Sequence, residues 1–311
     1  MSKHLFGIIV TGHGTAANNR GETEGNITTL QKILWEGEVH TTVSAEAIRF
    51  AIRKFWQARG ESNLNRTWND SKALNEWADH EFKQWEGFLD DDVLGFMSAK
   101  AAKEDGSDTP EKKTGRTRGT VDKRRARLEV SRAVSLTPFA GDITFNAASP
   151  GATPSASSTG KDPVPYGTEV HATRYQYAFA ITPESLEQPE RAMDVVDALV
   201  TLPPVAGNHG RFLYDFAPES VVFRWTEDFA PRMLYAFQNG NGSGVVDAPA
   251  LIRRVESGDI VPAELVVGGA LADTPVGQAL KERGAFVVPG VKAAAAEVKR
   301  LLTQNAGAQV R

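Results

Sequence analysis

The apolar segments of this chain are broken by two long stretches that cannot build a core. Residues 100–120 are rich in Lys, Gly and Thr, and Ala147 to Thr168 is dense in Ser, Pro, Gly, Thr and Ala. Such composition buries too little apolar surface to offset the entropy of ordering. The core must therefore come from the segments around them. Ala147 to Thr168, set between strands at Asp142–Asn146 and Glu169–Ile181, is expected to protrude as a mobile hairpin tip.

The remaining segments alternate strand and helix patterns. Leu5 to Val10 reads as a buried strand ended by Gly12 and Gly14. Ser44 reads as the N-cap of an amphipathic helix whose apolar stripe is Ala47, Ile48, Ala51, Ile52, Phe55 and Trp56. Residues 60–92 are rich in Trp, Asn and acids, and Arg125 to Thr137 reads as a strand. Within Glu169–Ile181, Tyr175, Tyr177, Phe179 and Ile181 share one face while Arg174 and Gln176 take the other. Pro189 to Leu202 is an expected helix with Ala192, Val195, Val196, Leu199 and Val200 inward, stopped by Pro203-Pro204. The C-terminal third alternates: helix near Ala248–Glu256, strand Leu265–Gly268, helix Thr274–Arg283, strand Phe286–Pro289, helix Val291–Thr303. That is an α/β rhythm.

Charge narrows the functional classes. The 311 residues carry a net charge of −4 and no cysteine. Disulfides, thiol catalysis and cysteine-ligated metal are excluded, and there is no global nucleic-acid signature. No apolar run approaches the roughly twenty residues of a membrane span, and the first ten residues lack a secretory pattern. Locally the picture differs. Lys112 to Arg132 holds nine basic residues against two acids, a balance of +7, with Arg116, Arg118, Lys123, Arg124, Arg125, Arg127 and Arg132 contributing most. This reads either as a phosphate-backbone contact or as a solubilising loop.

Two smaller candidates accompany it. Arg49 and Arg53 lie four apart on one helix face, behind the Ser44 cap. Free N–H groups, a hydroxyl and two guanidinium groups there suit a phosphate; the competing reading is a capped surface helix with solvated arginines. Val205 to Arg211, with Asn208, His209 and Arg211, reads either as donors on a glycine-flexed loop or as a helix-exit turn. Catalytic signatures are missing: the six histidines show no zinc spacing, and there is no nucleophile elbow or complete phosphate loop. Asp90-Asp91-Asp92 reads as a solvated loop or helix start, with metal binding as the alternative.

Taken in order, several stretches resemble the backbone subunit of type I CRISPR effector complexes, and within it the type I-B DevR family of CRISPR-associated autoregulators. They are Asn26 to Leu34, Thr41 to Arg53, Asp92 to Met97, Leu128 to Ser135 with Phe145-Asn146, and Ala206 to Arg211 running to Arg224. The resemblance covers about two thirds of the chain. It implies an α+β fold: an RRM-like, ferredoxin-like palm spanning 1–311, with a finger-like insertion at 57–127 and a thumb-like hairpin at 142–181. The implied function is non-catalytic, with no cofactor or metal. The chain oligomerises along the guide spacer and presents it for base pairing. The implied partners are CRISPR RNA, the complementary target DNA strand, other copies of the chain, other type I-B effector subunits and transposition proteins, in the cytoplasm. The implied RNA-binding residues are Asn18, Asn19, Arg20, Lys32, Ser44, Arg49, Arg53, Arg116, Arg118, Lys123, Arg124, Arg125, Arg127, Asn208, His209 and Arg211. The loop Thr11 to Asn26 lacks the aspartate that some type III relatives use to cleave RNA. The rival readings are a metal-dependent nuclease using Asp90 to Asp92 or Glu22 and Glu24, and a DNA-binding autoregulator.

Overall fold

A computed structural model describes residues 2–17, 23–99, 121–151, 164–202, 204–206, 213–240 and 245–309. In chain order the main elements are β1 His4–Thr11, β2 Lys32–Trp35, β3 Glu38–Val43, α1 Ala45–Arg59, α2 Leu89–Leu94, β4 Phe96–Ala99 and β5 Val121–Arg124. They continue with β6 Ala133–Ser135, β7 Ile143–Ala148, β8 Val164–Glu169, β9 Tyr175–Ile181, α3 Arg191–Val200 and β10 Pro218–Thr226. The C-terminal elements are α4 Pro249–Glu256, β11 Leu265–Gly269, α5 Pro275–Glu282, β12 Phe286–Val288 and α6 Val291–Gln309.

One large sheet organises the molecule, in the order β12-β11-β10-β1-β9-β6-β3-β2, with the short strand Glu129–Val130 also pairing with β9. Its pairs are antiparallel except β11 with β12. The central strands and two helices follow the chain order β1-α1-β6-β9-α3-β10, and the sheet places those strands as β10-β1-β9-β6. β1 is buried along its whole length because it is central and both sheet faces are covered.

On one face α1, α3 and α6 pack over Leu5, Ile9, Tyr175, Tyr177, Phe179, Val221 and Phe223. The expected stripe of α1 holds: Ile48, Ala51, Ile52 and Trp56 are buried, and Ala47 and Phe55 pack against the same cluster. The inward residues expected of α3 are likewise buried. Trp56 Nε1 donates to the carbonyl of Asp194 at 3.2 Å, tying α1 to α3. Gly7 matters here: a Cβ at this position would meet the Phe179 ring at 2.1 Å, so the strand leaves room for that ring only by lacking a side chain. On the opposite face Phe6, Ile8, Val10 and Val222 pack under Met233, Phe237, Leu251, Val255 and Leu280.

Arg174 and Gln176, on the face opposite Tyr175 and Tyr177, are buried as well. Arg174 Nε donates to Glu219 at 2.6 Å, and the Gln176 carbonyl accepts the amide of Phe237 at 3.2 Å. The expected continuous strands are also divided. Arg125–Thr137 supplies two short strands, Glu129–Val130 and β6, and Glu169–Ile181 contains β9 behind the short strand His171–Thr173. The hairpin partner of β7 is β8, with Ile143 opposite Glu169 and Ala148 opposite Val164. The strand-to-strand connection is thus shorter than 147–168, and residues 152–163 lie outside the described residues. Within 60–92 the chain forms a separate antiparallel pair, Arg66–Asn69 with Leu74–Trp77. Among the described residues no helix is long and apolar enough to cross a membrane.

Candidate nucleic-acid interface

The expected cap forms. Ser44 Oγ accepts the amide of Ala47 at 3.2 Å, and Gly60 in the left-handed region closes the other end of α1. Beside the first turns lies a groove of about 500 Å³ lined by Glu46, Arg49, Phe50, Arg66, Asn75 and Ala206, among others. Arg49 is half-buried, and its Nε makes no hydrogen bond. Arg66 reaches the same groove with its guanidinium 5.1 Å from the Trp77 ring centre. Burial pulls the Arg66 guanidinium below its ordinary range. Phe50, 39% exposed, meets Trp68 edge-on at 5.8 Å. Cationic and aromatic groups converge in an open concavity, which is the chemistry that takes a phosphate with an adjoining planar base.

Arg53 differs from Arg49 although both project from α1. It is 7% exposed, and its Nε donates to Asp90 at 3.1 Å. Desolvation brings its pKa down to about 10, so it stays charged near neutrality. Asp90 also accepts the amides of Asn65 and Arg66 at 2.8 and 3.1 Å. Arg53 lines the same groove as Arg49, but there it is tied to Asp90 and holds the insertion to α1, so it is not a free cation.

The acidic run is the centre of that junction. Asp90, Asp91 and Asp92 open α2 as expected but are fully buried, not solvated. Asp92 accepts Arg191 Nη1 at 2.8 Å and the amide of Glu187 at 3.0 Å, and it pairs with Arg124. Asp91 accepts Asn65 Nδ2 at 2.7 Å; burial, then the neighbouring Asp90 charge, push its carboxyl up to about 7. The three carboxylates face different protein donors. Among the described residues no group of three His, Asp or Glu side chains is placed to hold a metal ion.

The other basic residues divide in the same way. Lys32 pairs with Glu169 at 2.6 Å and sits 5.0 Å from the Phe139 ring, so it links β2 to the hairpin base. Arg124 lies 4.1 Å from the Trp85 ring. The backbone of 124–126 passes so close to Gly95, at φ 70°, that a Cβ there would lie 2.4 Å from the Arg124 carbonyl. Lys123 is exposed on β5, Arg125 pairs with Glu129, and Arg127 has an unpartnered Nε. Asn18, Asn19, Arg20, Arg116, Arg118, Asn208, His209 and Arg211 lie outside the described residues, as does Glu22. Arg66, Asn75 and Phe50 were not among the expected site residues. They reach the groove from the insertion hairpin and from the exposed side of α1, and the Trp/Arg content of 66–77 was the available signal.

The chain thus combines a mixed sheet packed between helices with a cationic groove beside α1 and basic residues at the edge of an insertion. The fold resembles a chain of a "CRISPR RNA-guided surveillance complex" at a TM-score of 0.53 and a chain of a "CRISPR RNA-guided surveillance complex, pre-nicking" at 0.55. The likeness covers 95% and 94% of this chain and 99% of each of those, with 13% and 14% identity. The family model described as "CRISPR-associated negative auto-regulator DevR/Csa2" matches residues 10–191, and the chain belongs to that family. It is also 54% identical to "CRISPR-associated protein Cas7/Cst2/DevR" of Myxococcus xanthus (strain DK1622), over 97% of this chain and 98% of that protein.

Proposed function

We propose that this protein is a non-catalytic CRISPR RNA-binding subunit of a type I-B effector complex. Copies line up along the guide spacer, form the backbone of the complex and present the guide to the target DNA strand. Sequence is then read by base pairing while the protein grips backbone and shape. The observation that carries this reading is Arg49: a cation with an unpartnered Nε, beside a capped helix start, in an open groove shared with Arg66 and Phe50. A phosphate supplies what that guanidinium lacks.

The β-α-β-β-α-β order with strands arranged 4-1-3-2 supports an RRM-like, ferredoxin-like palm. The 57–127 segment then serves as a finger and the β7–β8 hairpin, within 142–181, as a thumb. The complex works in the cytoplasm with other effector subunits and, where a system guides transposition, with transposition proteins. The commitment of Asp90, Asp91 and Asp92 to arginine and amide partners speaks against a metal-dependent nuclease built on these three. Native mass spectrometry of complexes built on guides of graded length tests the reading. The copy number is expected to rise in steps with guide length; one fixed copy number, or an RNA-free oligomer of the same size, contradicts it.

A further inference from the structure

A second groove, of about 380 Å³, opens at the start of β1, on the sheet face away from α1 and α3. His4 and Phe6 of β1, Arg127 from the root of the basic arm, Ala180 of β9 and Phe229 line it. Two donors in it have no partner among the described residues. His4 is 8% exposed; its Nδ1 lies 2.7 Å from the Thr182 hydroxyl, and its Nε2 makes no hydrogen bond. With Nδ1 taken as the acceptor of that hydroxyl, Nε2–H is a buried donor without a partner, on a residue that lines the groove. The Nε of Arg127 is also buried and unpartnered, while its backbone amide is anchored on the Val93 carbonyl at 2.9 Å. Buried donors normally find partners, so two in one groove call for a ligand that accepts.

The rim supplies the second element. Phe229 is 83% exposed, yet its ring sits 4.7 Å from the His4 ring. The loop that carries it is held by Asp228, which accepts the Ala230 amide at 3.0 Å, Arg232 Nε at 2.5 Å and Arg224 Nη2 at 3.2 Å. A fixed, exposed ring beside two acceptor-seeking donors matches a planar base with its phosphate. Arg125 and Glu129 pair at the same groove, and the stretch Lys112 to Arg132 around them carries a net +7, which favours a polyanion over a single protein carboxylate.

We propose that this groove is a second single-stranded nucleic-acid contact, in which one base stacks on Phe229 and the adjoining phosphate accepts Arg127 Nε–H and His4 Nε2–H. The proposal takes the class of polymer from the RNA-binding reading, but it places the contact on the opposite sheet face from the α1 groove.

The test is photocrosslinking of the full chain to a single-stranded RNA carrying 5-iodouridine, with peptide mapping and affinity titration of Phe229→Ala, Arg127→Gln and Arg49→Ala. Crosslinks are expected on the peptides holding Phe50 and Phe229, the latter persisting in Arg49→Ala. Phe229→Ala is expected to weaken binding roughly tenfold. Arg127→Gln is expected to lower the salt slope by about 0.7. Because Phe229 is exposed, its variant should keep the wild-type circular dichroism. Crosslinks at Phe50 alone, with Phe229→Ala unchanged, overturn this proposal and leave the α1 reading standing. Crosslinks at Phe229 alone uphold it and overturn the α1 reading; crosslinks at neither overturn both. Protection of the Phe229 peptide by polyglutamate but not by RNA overturns it in favour of a protein partner.

Discussion

The α2 junction and the α1 groove are built from the same ingredients, arginines beside carboxylates, and differ in what the arginines touch. At the junction Arg53, Arg124 and Arg191 each meet a buried aspartate. In the groove Arg49 has an unpartnered Nε and Arg66 rests against Trp77. A buried ion pair cannot lose one partner without stranding the other charge in a poorly solvated site. Arg49 has Glu46 nearby but forms no ion pair among the described residues, so it can be removed at little cost to the fold and remains available to an anion. The two regions should therefore separate stability from binding.

The largest effect should come from Asp92→Ala, which strands Arg191 and Arg124 and removes the acceptor for the Glu187 amide. A loss of about 3–5 kcal/mol in unfolding free energy is expected, read from denaturant unfolding. Retention of wild-type stability would show that the junction does not hold the insertion to the palm. Arg53→Ala should follow with a smaller loss, since Asp90 keeps two backbone amides. Its effect on RNA affinity is expected to track unfolding and to vanish under conditions where the variant is fully folded.

Asp91 adds a pH signature to the same region. Its carboxyl is raised to about 7, so the folded state holds the proton more tightly than the unfolded state, where an ordinary aspartate titrates near 3.8. The stabilising contribution is full below that lower value and is lost as pH rises through about 7. Asp91→Asn should flatten the fall of stability between those limits, read by thermal melting at several pH values; an unchanged profile would place the titration elsewhere. A much smaller stability effect should come from shortening the connection between Ala148 and Val164. The hairpin register is set by six facing pairs, and halving a loop changes closure entropy by only about 0.6 kcal/mol.

Much of the fold was legible in the sequence. The periodicity of α1 and α3 named their buried faces, because amphipathic helices on a sheet must hide one stripe. The two faces around β9 divide as expected, but alternation marks polarity and does not tell whether a second layer covers the polar side. Arg174 and Gln176 lie under such a layer, with Glu219 and the Phe237 amide as partners. The site was half legible. Helical spacing put Arg49 and Arg53 on one face, but sequence cannot say that Asp90, thirty-seven residues on, returns to meet only one of them. Arg66 escaped notice because its role depends on a hairpin folding back over α1.

The central claim is that Arg49, unlike the arginines of the junction, is held in reserve for a phosphate. The measurement that tests it most directly is the salt dependence of single-stranded RNA affinity for Arg49→Ala against the wild type. The account predicts a stability change within about 0.5 kcal/mol. It also predicts weaker binding for every guide sequence alike and a slope of log K against log salt reduced by about 0.7. An unchanged affinity and slope in a folded variant would contradict it.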